Sequence, residues 1–154
     1  MNPDTRQSPL PDSPQSILVV ENEHLAAMHL VRCIEQIGVE IVGPAPSAEK
    51  ALELVASEKP DLAIVDIRIP GVDGLELAQT LYNDHNLPVI ILSAFSDPHY
   101  VQQASATGVF GYLLKPAMMD DLRVNIAIAW SNYTLVCQLN DQIAQLRDQL
   151  DKNT

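Results

Sequence analysis

Short apolar runs alternating with helical stripes constrain this chain more than any other feature. Ile17-Leu18-Val19-Val20, Val39 to Val42, Leu62 to Asp66, Val89-Ile90-Ile91-Leu92 and Phe110 to Leu114 have the length and β-branched content of buried strands. Ala27, Leu30, Val31, Ile34 and Ile37 space a helix that Gly38 stops. Ser47 caps a second helix with Ala48, Ala51, Leu52 and Val55 on its inner face, and Pro60 stands beyond its end. Leu75, Ala78 and Leu81 space a third, and Ser96 or Asp97 opens a fourth that finishes at Gly108. Five strands alternating with helices make an α/β protein, doubly wound around a parallel sheet that is covered on both faces. Chemistry in such sheets gathers outside the carboxyl ends of the strands.

The 154 residues suffice for one domain with a substantial core. A formal charge of −11 argues against a nucleic-acid surface, which draws its affinity from clustered Lys and Arg. There is no apolar run of membrane-spanning length and no basic-then-apolar N-terminus, so the expectation is a cytoplasmic protein with no membrane partner. Residues 1–16 are rich in Pro, with almost nothing apolar to bury, and read as a disordered leader. Cys33 and Cys137 lie far apart without metal-ligand spacing and read as free thiols.

The strand ends carry polar residues: Glu21 and Asn22 after the first, Asp66 at the third, Ser93 after the fourth and Lys115 after the fifth. A carboxylate where a buried strand meets the turn Pro70-Gly71-Val72-Asp73-Gly74 is costly unless it is paired or coordinated. Two carboxylates and an amide suit Mg²⁺, and a hydroxyl and an ammonium suit the oxygens of a phosphoryl group carried by Asp66.

Val-Val-Glu-Asn-Glu after the first strand, Asp66 with Pro70 to Gly74, Ser93-Ala94, Gly111-Tyr112 and Lys115-Pro116 together resemble the receiver domain of bacterial two-component response regulators. The resemblance covers residues 17–122. It implies a flavodoxin-like strand order 2-1-3-4-5, and phosphorylation of Asp66 by a histidine kinase or a histidine phosphotransfer protein. Mg²⁺ would be held by Glu21, Asn22, Asp66 and the backbone carbonyl of Arg68, with Ser93 and Lys115 on the phosphoryl oxygens. Ser93 and Tyr112 would form the switch, and the Lys115–Pro116 peptide would be cis. The protein would be no enzyme beyond its own phosphotransfer and dephosphorylation. Asn22 stands where the family usually has an aspartate, which implies weaker Mg²⁺ binding.

A last helix continues from Met119 to Asp151, far past the domain, and residues 123–154 read as a helical extension. Val136, Leu139, Ile143, Leu146 and Leu150 space an a/d heptad seam, which predicts a parallel homodimer through residues 119–151. On this reading the chain has no output domain and works as a phosphoryl shuttle or as a dimeric adaptor. The rival reading is a pseudo-receiver, a dimeric interaction module independent of phosphorylation. A phosphohydrolase is disfavoured because Arg68 occupies the second position of the Asp-x-Asp pair such an enzyme needs.

Overall fold

In the computed structural model, which describes residues 10–94 and 109–153, the apolar runs form one five-stranded parallel sheet in the order β2-β1-β3-β4-β5. The chain runs β1 (Ser16–Val20), α1 (His24–Ile37), β2 (Glu40–Ala45), α2 (Ala48–Glu58), β3 (Leu62–Asp66), α3 (Gly74–His85), β4 (Val89–Ser93), β5 (Val109–Leu114) and α4 (Met119–Lys152). The helix expected between Ser96 and Gly108 lies outside the described residues.

Period-two alternation sends successive strand residues to opposite faces, and each face has its own helices. Leu18, Val20, Ala63, Val65, Val89 and Ile91 face α2 and α3. Ile17, Val19, Ile64, Ile90, Leu92 and Leu113 face α1 and the first half of α4. Local chemistry sets the helix ends, at Gly38 and Ser47 as the spacing predicts. Gly38 closes α1 in the left-handed conformation at φ +97°, the Ser47 hydroxyl accepts from the Lys50 N–H, and the Asp73 carboxylate accepts from the Leu75 N–H.

Two stretches depart from the expectation. β2 does not close at Gly43-Pro44 but continues through both to Ala45, with a cis peptide between them. As an edge strand it tolerates a residue without an N–H. Residues 10–16, expected within a disordered leader, are fastened to the domain instead. Pro14 is buried, the Gln15 N–H donates to the Asp61 carboxylate at 2.7 Å, and the Trp130 indole N–H donates to the Pro11 carbonyl at 2.7 Å. A buried indole needs an acceptor, and a proline segment offers its carbonyls freely.

α4 is anchored by Leu122, Ile126, Ala129, Trp130 and Tyr133, all buried, and runs on exposed to Lys152. Its 34 residues reach about 50 Å. Tyr133 packs edge-on against Phe110 and donates its hydroxyl to the Asn86 carbonyl at 2.8 Å. Burial, and then the neighbouring Cys137 thiol, raise its phenol well above the ordinary value of 10.0. The folded state therefore keeps the proton that the unfolded chain loses above pH 10, so this residue's contribution to stability declines as pH rises past that point. Tyr133→Phe is expected to cost about 1 kcal/mol at pH 7 for the lost hydrogen bond. The gap from wild type should narrow above pH 10 in denaturant unfolding; a gap that widens there would contradict the assignment.

Candidate functional site

Strands buried on both faces leave their carboxyl ends as the place where polar side chains meet. Three of the polar residues expected there are almost fully enclosed: Glu21 is 2% exposed, Asp66 5% and Ser93 1%. Lys115, at the end of β5, reaches back between the two carboxylates. Its Nζ lies 2.5 Å from Asp66 Oδ2 and 2.6 Å from Glu21 Oε1.

Backbone bonds hold each member. The Ile67 N–H donates to the Leu92 carbonyl at 2.9 Å, the Lys115 N–H to the Ser93 carbonyl at 2.8 Å, and the Glu21 N–H to the Ala45 carbonyl at 2.9 Å. Each of these bonds carries the sheet ladder one step past a strand end. Asp66 Oδ1 accepts from the Arg68 N–H at 2.9 Å, and Glu21 Oε2 from the Glu23 N–H at 3.1 Å. Arg68 is also bridged to Asp73, so the turn after Asp66 is pinned to the start of α3.

Burial pushes the Glu21 carboxyl up from its ordinary value, an effect that the Lys115 ammonium and the Glu23 N–H oppose without cancelling. Burial also pulls Lys115 down, but its hydrogen bonds to Asp66 and Glu21 outweigh that, and the net shift is upward. The cluster therefore holds two carboxylates against one ammonium, one charge short of neutrality. Glu21 Oε1 is buried, with the Lys115 ammonium 2.6 Å away. An enclosed carboxylate oxygen of this kind, beside a second carboxylate, is the donor chemistry of a hard cation. No cluster of three His, Cys, Asp or Glu exists among the described residues, and an amide and a backbone carbonyl stand beside the two carboxylates. Asn22, exposed at the rim next to Glu21, and Arg68, held against Asp66, are placed to serve.

Glu21, Asp66 and Lys115 thus meet directly, and Ser93 joins them through its carbonyl. Tyr112 is half-buried on β5. Strand register places Ile91 beside Tyr112 and Ser93 beside Leu114, so Ser93 and Tyr112 share a face of the sheet, two residues apart along the strands. The Lys115–Pro116 peptide is cis. Phe95, a rim residue in the sequence, lies outside the described residues.

Sequence reasoning missed the supporting role of Gly74, which it read only as part of a turn. A Cβ there would stand 2.5 Å from the Asp66 carbonyl oxygen and 2.6 Å from the Ile67 Cα. The signal was available: a glycine at the first helical position after an Asp cap, where glycine has no conformational advantage, marks a close approach of backbones.

The family model described as "response regulator receiver domain" matches residues 17–127. The chain is 34% identical over 138 residues to the transcriptional regulatory protein PdtaR of Mycobacterium tuberculosis, covering 90% of this chain and 67% of the relative. It is 29% identical over 110 residues to sporulation initiation phosphotransferase F of Bacillus subtilis, covering 71% of this chain and 88% of the relative. Against other curated regulators the chain spans about half of their length, as with DesR of Bacillus subtilis at 54%. Among solved structures, the signal receiver domain of a modulated diguanylate cyclase from Desulfovibrio desulfuricans superposes with a TM-score of 0.73 at 35% identity. That match covers 80% of this chain and 98% of the other.

Because the added Cβ would meet backbone and not the end of a flexible side chain, Gly74→Ala is expected to destabilise the protein by about 2–3 kcal/mol. Denaturant unfolding measures this; a loss below about 0.5 kcal/mol would show that α3 can move away from Asp66 at little cost.

Proposed function

Because this chain belongs to the response regulator receiver family of two-component systems, we propose that Asp66 accepts a phosphoryl group from a histidine kinase or a histidine phosphotransfer protein in the cytoplasm. The observation that carries this reading is the Lys115 ammonium held between the two buried carboxylates of Glu21 and Asp66.

Glu21, Asn22, Asp66 and the Arg68 carbonyl hold Mg²⁺ in this proposal. Bound there, it would offset the excess negative charge and supply an electrophilic centre for the phosphoryl oxygens. The amide at Asn22 leaves the site a negative charge short of a third carboxylate, so it binds Mg²⁺ less tightly than an aspartate at that position would. An Asp66 carboxylate oxygen attacks phosphorus in line, the P–N bond to the donor imidazole breaks, and the new P–O bond forms. The Arg68 N–H keeps the carboxylate oriented through Oδ1. Lys115, tethered through its own N–H to the Ser93 carbonyl, has the reach and charge to follow the phosphoryl oxygens. The Ser93 hydroxyl supplies a further donor, and its movement lets the Tyr112 ring turn inward on the shared face. No reaction beyond this phosphotransfer and the hydrolysis of the acyl phosphate is assigned to the chain.

Incubation with a small acyl phosphate and Mg²⁺ is expected to give a single phosphoryl adduct by intact mass, absent in Asp66→Ala and in the presence of chelator. An adduct that persists in Asp66→Ala would overturn the assignment. No adduct at all would leave the phosphorylation-independent interaction module as the reading.

The projecting half of α4 is proposed to pair two copies of the chain in parallel. Its apolar residues beyond the domain cannot be covered by the domain itself. The full chain is expected to sediment as a dimer at micromolar concentration, and a monomeric mass would end this part of the proposal.

A further inference from the structure

The loop that carries Lys115 is held from both sides, and the second hold comes from α1. On the near side the Lys115 N–H donates to the Ser93 carbonyl at 2.8 Å. On the far side Pro116 brings no N–H, and the first bond of α4 runs from the Leu122 N–H to the Met118 carbonyl. The Ala117 carbonyl therefore lies one residue outside the helix ladder, in a residue only 3% exposed, and must find a donor elsewhere. It finds the imidazole of His29, whose Nε2 lies 2.8 Å away across 88 residues of sequence. A carbonyl only accepts, so Nε2 carries the proton. Cys33 Sγ, one turn further along α1, lies 3.8 Å from the same nitrogen and backs the ring.

What this contact joins matters more than its strength. α1 follows closely on Glu21 and Asn22 at the end of β1, whereas Ala117 follows β5. In the sheet β3 and β4 separate β1 from β5, a span of about 14 Å that no ladder hydrogen bond can cross. His29 crosses it over one face of the sheet. It ties the element that bears the proposed cation ligands to the loop that bears the ammonium.

In the site as it stands, the ion pairs with Asp66 and Glu21 also place the Lys115 side chain. Once a phosphoryl donor enters, the ammonium has to turn from the carboxylates to the phosphoryl oxygens, and those ion pairs no longer define where it stands. Its position then depends on the backbone on either side of Lys115. The Ser93 carbonyl fixes one side and His29 the other.

We infer that His29 is a positioning residue for phosphotransfer to Asp66: through the Ala117 carbonyl it holds the Lys115 loop against α1 while the Lys115 side chain moves. The inference rests on the phosphoacceptor role proposed for Asp66. His29 touches neither the phosphorus nor the cation, and a hydrogen-bond donor of the same reach can replace it.

The test is the initial rate of adduct formation with a small acyl phosphate and Mg²⁺, followed by intact mass, in wild type, His29→Leu and His29→Gln. A small donor needs no protein docking surface, so recognition of a partner does not enter the rate. Denaturant unfolding establishes that each variant is folded under the assay conditions, and a role confined to stability would then leave the rate unchanged. His29→Leu keeps the bulk and loses the donor, and it is expected to slow phosphorylation by about tenfold. His29→Gln puts an amide N–H near the position of Nε2 and is expected to stay within about twofold of wild type. Equal rates in wild type and His29→Leu would overturn the positioning role and leave Asp66 as the acceptor. So would a His29→Gln variant as slow as His29→Leu, since the ring and not the hydrogen bond would then matter. Should His29→Leu fail to fold, His29→Asn takes its place, because its amide falls one methylene short of the carbonyl. No adduct in the wild type would overturn both readings.

Discussion

A parallel sheet covered on both faces has no room for a polar side chain along its strands, and the rest of this structure depends on that exclusion. Glu21, Asp66 and Ser93 sit at or just past the last strand residue, the first positions at which a polar group can find partners. The same exclusion makes their partners few. Asp66 and Glu21 share one ammonium, and each also accepts from a backbone N–H of the turn that follows it.

The balance at this edge is between desolvation and pairing. For Glu21 burial wins and disfavours the carboxylate, whereas for Lys115 the two carboxylates win and favour the ammonium. A site left with an excess buried negative charge is poised to take up a cation, which links the fold to the proposed Mg²⁺-assisted phosphotransfer. Rigid support matters as much as charge. Gly74 lets α3 approach the backbone of Asp66 and Ile67 more closely than any side chain would allow.

α4 belongs to two environments at once. Its inner face completes the core through Trp130 and Tyr133, the first tied to the N-terminal segment and the second to the loop before β4. Its outer face is an apolar stripe that the domain cannot reach.

The sequence by itself determined the order of elements, the two-sided burial of the strands, the helix stop at Gly38 and the helix start at Ser47, and the gathering of Glu21, Asp66, Ser93 and Lys115 at one edge. These follow from period, length and local capping, which act within a few residues. Tertiary structure alone decided that Lys115 spans Asp66 and Glu21, with 49 residues separating it from Asp66. It also decided that residues 10–16 are fastened through an indole 119 residues away, and that β2 continues through a proline because it lies at the sheet edge. Most consequentially, it decided which stripe of α4 stays outside. A helix shows the same apolar periodicity whichever face is covered, and only the placement of the domain covers Leu122 and Ala129 while leaving Leu139, Ile143, Leu146 and Leu150 exposed.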